Sequence, residues 1–365
     1  MRHHDTDGFV VRGRAPLTRR GPRAMAAATA IALGATLLTA CADSDAGSTA
    51  GKDGLVSVTV GSGDNIFDLP MKVADAQGYF RKHGLKVKFV SVTAATGPAA
   101  LQSGSVQFLN SSPTGFLSAL AKGVPEVAIG ADGLGNPLGI VVSKKFADAH
   151  KLTDSTPGEQ VAKALAGSTG GASSANTKAE ASTFLKSHDV DPGKVKWVSL
   201  PSPAANKAAL TSGQIDWFIT SEPTPLSIQQ SGDGVVVVDP ERFPDWTAEQ
   251  SGYGELVVAR KDYVGKNAAT AKKFVAAIQD ATAYMNAHVD DTELLDIAKK
   301  AMPGTADEVL RDSLKQPGWP TSAAMKDEEW QKTLDFVNGL GVLTKKMTVT
   351  ADDWTNEYAP SGGGS

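Results

Sequence analysis

Along residues 55–260 the apolar positions switch repeatedly between two spacings. Short β-branched runs stand at 56–61, 86–92, 106–110 and 126–131, and helical spacing fills 70–83, 98–103 and 113–122 between them. Pro70 and Pro113 fall in the first turns of their helices, and Gly84 suits a left-handed residue just past the end of 70–83. The same order returns with strands at 164–171, 195–200, 215–220 and 234–239, and with helices at 178–187, at 204–212 and after Pro223. Such alternation predicts an α/β fold built from βαβ units, with mostly parallel sheets carrying helices on both faces.

The recurrence is legible residue by residue at one place. Residues 99–108 (AALQSGSVQF) align with 208–217 (AALTSGQIDW), and each leads to small hydroxyl residues ahead of a proline, Ser112-Pro113 and Ser221-Glu222-Pro223. Matched order and spacing predict two lobes of one architecture. Two Gly-bearing, β-branched stretches, 136–142 and 252–259, lie between the lobes and read as crossing hinge strands. Beyond them, 268–286, 292–302, 306–315 and 327–339 have helical spacing, with Phe274, Ile278, Ala281 and Met285 on one face. The expected organisation is a discontinuous first lobe, 55–137 with 259–358, a second lobe, 138–258, and a structureless tail, 359–365.

The amino terminus has another character. Six arginines fall within residues 2–23, and an alanine-rich apolar run follows at 26–38, which predicts a secretory signal too short to span a bilayer permanently. Arg19-Arg20 invites a twin-arginine route, although Gly21-Pro22 lacks the usual apolar continuation. Leu38-Thr39-Ala40-Cys41 resembles the lipobox of bacterial lipoproteins. That resemblance implies a signal peptide over 1–40, acylation of Cys41 and anchorage on the outer face of the cell membrane; a buried free thiol is the alternative. Residues 41–54, rich in Ser, Gly, Ala and Asp, read as a flexible tether.

Charge narrows the partners. The 365 residues carry 36 basic and 40 acidic side chains, a net charge of −4 that argues against nucleic acid. The single cysteine excludes an internal disulfide and a thiolate metal site. No G-x-S-x-G, H-E-x-x-H or phosphate loop occurs, and His83, His150, His188 and His288 are scattered. No catalytic residue, metal or cofactor is expected.

In open parallel sheets ligands bind beyond the carboxyl ends of the strands. The residues there are Asp64, Asn65, Phe67, Ser111, Ser112 and Asp132 in the first lobe, and Ser173, Ser174, Asn176, Ser221 and Glu222 in the second. They are small and polar and sit at helix amino ends, where free amides and the dipole hold an acceptor; capping of their own helices is the alternative for each Ser and Asn. Phe67 is either an apolar wall for a ligand or a core residue. Asp64, Asp132 and Glu222, with Lys178 the one nearby cation, disfavour a simple dianion and favour a zwitterionic or amine-bearing molecule.

The segment 78–87 (GYFRKHGLKV), the element 100–104 (ALQSG) and the second-lobe pattern 209–216 (ALTSGQID) with Ser221-Glu222-Pro223 resemble the extracytoplasmic solute-binding lipoproteins of ABC importers. Within these they resemble the aliphatic-sulfonate, nitrate, taurine and thiamine-precursor binders. The resemblance implies the type II periplasmic binding protein fold, a monomer, and a small polar ligand closed between two lobes. It also implies delivery to an ABC permease and its ATPase. One departure stands out: family members often carry an aromatic before Glu-Pro, where this chain has Ser221. An enzyme of lyase or transferase type on the same fold and a lipoprotein sensor are the alternatives.

Overall fold

The computed structural model describes residues 51, 53–63, 65–93, 96–200 and 202–360; the signal, Cys41 and residues 361–365 of the expected tail lie outside this range, whereas Ala359, expected in that tail, packs against the first core. Among the described residues, ten strands form two sheets of five. The first contains β1 (Val56–Ser62), β2 (Leu85–Ser91), β3 (Phe108–Ser111), β4 (Glu126–Leu134) and β10 (Tyr253–Arg260), in the order β2-β1-β3-β10-β4. The second contains β5 (Leu138–Ser143), β6 (Thr169–Ala172), β7 (Lys196–Ser199), β8 (Trp217–Ser221) and β9 (Gly234–Val238), in the order β7-β6-β8-β5-β9.

The two orders are one pattern. β1, β2, β3 and β4 correspond to β6, β7, β8 and β9, and the strand between third and fourth is antiparallel in both sheets. That strand is β10 in the first sheet, returning from the second half of the chain, and β5 in the second, arriving from the first half. The duplicated lobes and both crossing strands expected from sequence are therefore present, and the molecule has the two-lobed α/β fold of periplasmic binding proteins.

The crossing is tight. Gly135 N–H donates to Gly252 O at 2.9 Å, and Asn136 N–H to Trp246 O at 2.7 Å. Gly135 and Gly252 have positive φ (76° and 68°), and a Cβ on Gly254 would overlap the Gly135 carbonyl oxygen. A side chain at Gly135 or Gly254 would force the two segments apart, and one at Gly252 would run into Glu329 and Thr333.

Each lobe has its own core. Phe80, Phe108 and Phe274 stack between the first sheet and the long helix Ala268–Ala287, whose buried stripe includes Ile278, Ala281 and Met285. Trp217, Phe184, Phe243 and Trp246 fill the second lobe. Phe336, on the helix Asp327–Leu340, packs against cores of both lobes. The edge of β4 is covered twice: Leu134 exchanges hydrogen bonds with Gly318, and Ala128 bonds to Asp353 and Thr355. A covered edge offers no template to another chain.

Local boundaries differ from the sequence reading at two points. The helix expected over 70–83 is two helices, Leu69–Ala76 and Tyr79–Lys82, because Gly78 adopts a left-handed conformation (φ 72°) and breaks the run. The start of the strand expected at 164–171 belongs to the helix Gly158–Leu165, whose strongly one-sided apolar face (Val161, Ala162, Leu165) is buried; β6 begins only at Thr169.

Candidate functional site

The register places the carboxyl ends of both sheets at the crossing. β10 pairs Glu255 with Gly133 and Leu256 with Ser111, so its amino end lies beside the carboxyl ends of β3 and β4. In the second sheet Leu138 of β5 pairs with Ser221 at the end of β8. Only the short link from Leu134 to Leu138 separates β4 from β5. The strand ends of the two lobes thus converge on one region.

In the first lobe that region is acidic and buried. Asp68 opens the helix Leu69–Ala76 and accepts from Ser62 Oγ (2.9 Å), Gly63 N–H (2.7 Å) and Asn65 N–H (3.2 Å). Asn65 in turn accepts from Phe67 N–H at 2.8 Å, which caps the turn. Asn110, on β3, donates through one amide nitrogen to Phe67 O (2.8 Å) and Asp132 Oδ2 (3.1 Å). Its own carbonyl oxygen is buried without a partner, as is Asp132 Oδ1. Asp132 is 0% exposed, and burial, with the neighbouring Asp68 charge, pushes its carboxyl up to about 8. Glu255 is 9% exposed and raised well above the usual carboxylate range by burial, then by Asp132 and Asp68. Asp68 is also raised, because burial outweighs its three hydrogen bonds.

Phe67 stands behind this group. It is 6% exposed, meets Trp319 edge to face at 6.4 Å, and lies 2.5 Å from where a Cβ on Gly133 would be. Ser111 Oγ donates to Ser112 O at 3.3 Å, and Ser112 Oγ accepts from Gly115 N–H at 3.2 Å, capping the helix Pro113–Ala121. Asp64 lies outside the described residues.

The second lobe supplies a different set. Ser174 caps the helix Ala175–Ser187, accepting from Thr177 N–H at 3.1 Å. Asn176 donates to Glu180 Oε1 at 2.8 Å, and the remaining oxygens of both residues are buried and unmatched. Burial holds Glu180 up to about 7. Ser173 and Ser221 are half-buried at the ends of β6 and β8, and their hydroxyls form no hydrogen bond among the described residues. Glu222 turns onto its own helix, accepting from Leu226 N–H at 3.2 Å; its other oxygen is unmatched, and burial pushes the carboxyl up to about 8. Lys178 is exposed, with its ammonium 5.4 Å from the Trp197 ring centroid.

The sequence points to Asn65 and Asp132 in this region and leaves out Asp68 and Glu255. Glu255 carries a usable signal, as the one acidic residue in the otherwise uncharged hinge stretch 252–259.

Residues 68–292 match the model of a protein family described as NMT1/THI5 like. Among solved structures, the periplasmic aliphatic sulphonate binding protein SsuA from Escherichia coli matches with a TM-score of 0.65 and 17% identity, over 83% of this chain and 98% of that one. The alkanesulfonate-binding protein SsuA from Xanthomonas axonopodis pv. citri, bound to MOPS, matches with a TM-score of 0.64 and 15% identity, over 82% and 98%. The periplasmic nitrate-binding protein NrtA from Synechocystis PCC 6803 gives 0.60 and 18%, over 72% and 70%. Among curated proteins, no sequence matches this one.

Proposed function

Since the chain belongs to the NMT1/THI5-like family, we propose that it is the extracytoplasmic solute-binding component of an ABC importer. It captures a small polar molecule between its lobes and delivers it to a membrane permease, with no covalent step. The observation that carries this reading is the convergence of two like sets of strand ends on one crossing, with unmatched polar atoms on both sides of it. Ligand bridging the lobes stabilises whichever arrangement brings the two sets together, and the crossing strands absorb the change.

Asn65, Ser111, Ser112 and Asp132 approach the ligand from the first lobe, with Phe67 behind. Ser173, Ser174, Asn176, Ser221 and Glu222 approach from the second. Cys41 carries the lipid that holds the protein outside the cell membrane, and residues 42–54 act as the tether; Cys41→Ser releases the protein into the medium if so.

The test is solution scattering on the full chain, before and after removal of whatever small molecule co-purifies with it, identified by mass spectrometry. The expected result is a smaller radius of gyration with the molecule bound, and a melting temperature that rises with its concentration. A radius that ignores the molecule, or steady conversion of it into a product by the pure protein, overturns the reading.

A further inference from the structure

The first lobe holds three carboxylates at one end of its sheet, and their hydrogen bonds are graded. Asp68 has three donors. Asp132 has one donor on one oxygen and none on the other. Glu255 has no hydrogen-bond donor to its carboxylate among the described residues, although only 9% of the residue is exposed. None of the three belongs to an ion pair among the described residues, and Lys72 is the one cation whose charge reaches Asp68. A buried carboxylate without donors is costly unless something fills its lone pairs.

A second observation is independent of charge. Both hydrogens of the Asn110 amide are committed, to Phe67 O and Asp132, which fixes the direction of that side chain and leaves its carbonyl oxygen buried and unmatched. A neutral amide thus adds a further acceptor with nothing to accept. With the carboxyls ionised every unmet atom in this group is an acceptor, so the missing partner of the ionised group is a donor. The described residues contain no group of His, Cys, Asp and Glu placed to hold a metal ion, and this favours a larger, organic donor.

We propose that Asp132, Glu255 and the Asn110 carbonyl form the recognition site for a positively charged nitrogen, an ammonium or amidinium group of the transported solute. The assignment rests on the solute-binding reading and specifies its chemistry. A cation seated there donates to Asp132 Oδ1, to Asn110 Oδ1 and to the Glu255 carboxylate, with Asp68 behind them adding charge. Because burial holds Asp132 up to about 8, the empty site keeps that proton at neutral pH, and the cation displaces it; burial raises Glu255 in the same direction.

The test uses the full chain, stripped of co-purifying molecules, and two matched pairs of probes: 4-aminobutyrate with 4-hydroxybutyrate, and putrescine with 1,4-butanediol. Calorimetric titration at pH 8 is expected to show binding of an amine with its hydroxyl counterpart at least about 10-fold weaker. Asp132→Asn and Glu255→Gln should each weaken the amine about 10–100-fold, the range of a charged hydrogen bond. Affinity should fall from pH 8 to pH 6, and titrations in buffers of different ionisation enthalpy should show proton release. A readout without ligand guards against failed folding: at pH 8.5 both variants should melt above the unliganded wild type, since each removes a buried carboxyl that no cation pairs.

Equal binding of amine and hydroxyl partners, amine affinity untouched by both variants, or variants that melt below the wild type would each overturn the proposal. So would a failure of all four probes to bind. None of those results disturbs the solute-binding reading, which stands or falls on scattering with the co-purified molecule.

Discussion

Glu180, Glu222 and Asp132 each keep one oxygen unmatched in the interior, and burial holds their carboxyls up to about 7, about 8 and about 8. The unfolded chain loses these protons near the ordinary carboxylate value, while the native protein retains them to higher pH. Above pH 5 the native state therefore binds more protons than the unfolded one, and stability falls as pH rises toward 8. For Glu180, held up to about 7, the loss is on the order of 3 kcal/mol. Urea unfolding of the unliganded protein at pH 5, 6.5 and 8 should show a declining midpoint, and Glu180→Gln should flatten the part below pH 7. A profile that rises over this range would contradict the assignment. Phe67 makes a separate case. Packed on Trp319 and over Gly133, it behaves as core, so Phe67→Ala should reduce unfolding free energy by about 3–5 kcal/mol.

Among the elements, helix starts were the most readable. Ser112-Pro113 announces a cap and a first-turn proline, and the structure has both; Ser112→Ala should lower stability by about 1 kcal/mol in chemical denaturation. Interruptions were harder to read. Gly78 looks like any tolerated helical glycine in sequence, and its left-handed φ follows from how Tyr79–Lys82 must turn onto the long helix Ala268–Ala287, a long-range contact with no local sign. Likewise, Ala164 and Leu165 carry no β-forming bias, and their place in a helix is set by the apolar face they share with Val161. In the crossing strand, Gly254→Ala should destabilise by about 1–3 kcal/mol, because its Cβ meets Gly135 O and the Phe67 ring. Gly265→Ala, in a helix with open space around it, should be neutral or slightly stabilising. Melting curves of the two variants side by side separate a packing effect from a general intolerance of alanine.

For the whole molecule, the duplication was visible because both copies obey the same rules at the same spacing, as residues 99–108 and 208–217 do. The swapped middle strands were readable as hinges, but not their partners, since pairing between residues as far apart as Asn110 and Val257 leaves no periodic trace. The acidic group at the strand ends was only partly legible for the same reason: Asp132 and Glu255 meet through the pairing of β4 and β10, Asp68 joins them from the turn after β1, and sequence distance conceals it.

The placement of β10 also bears on how the chain matures as it leaves the ribosome. The second sheet draws all five of its strands from one uninterrupted stretch, Leu138 to Val238, whereas the first sheet lacks the strand between β3 and β4 until residues 253–260 have been made. The inner segment can finish folding on its own while β3 and β4 still wait, unbridged, for a strand synthesised more than a hundred residues after them. Chains released after residue 250 should therefore yield a protease-resistant fragment from the middle of the sequence and not from its beginning.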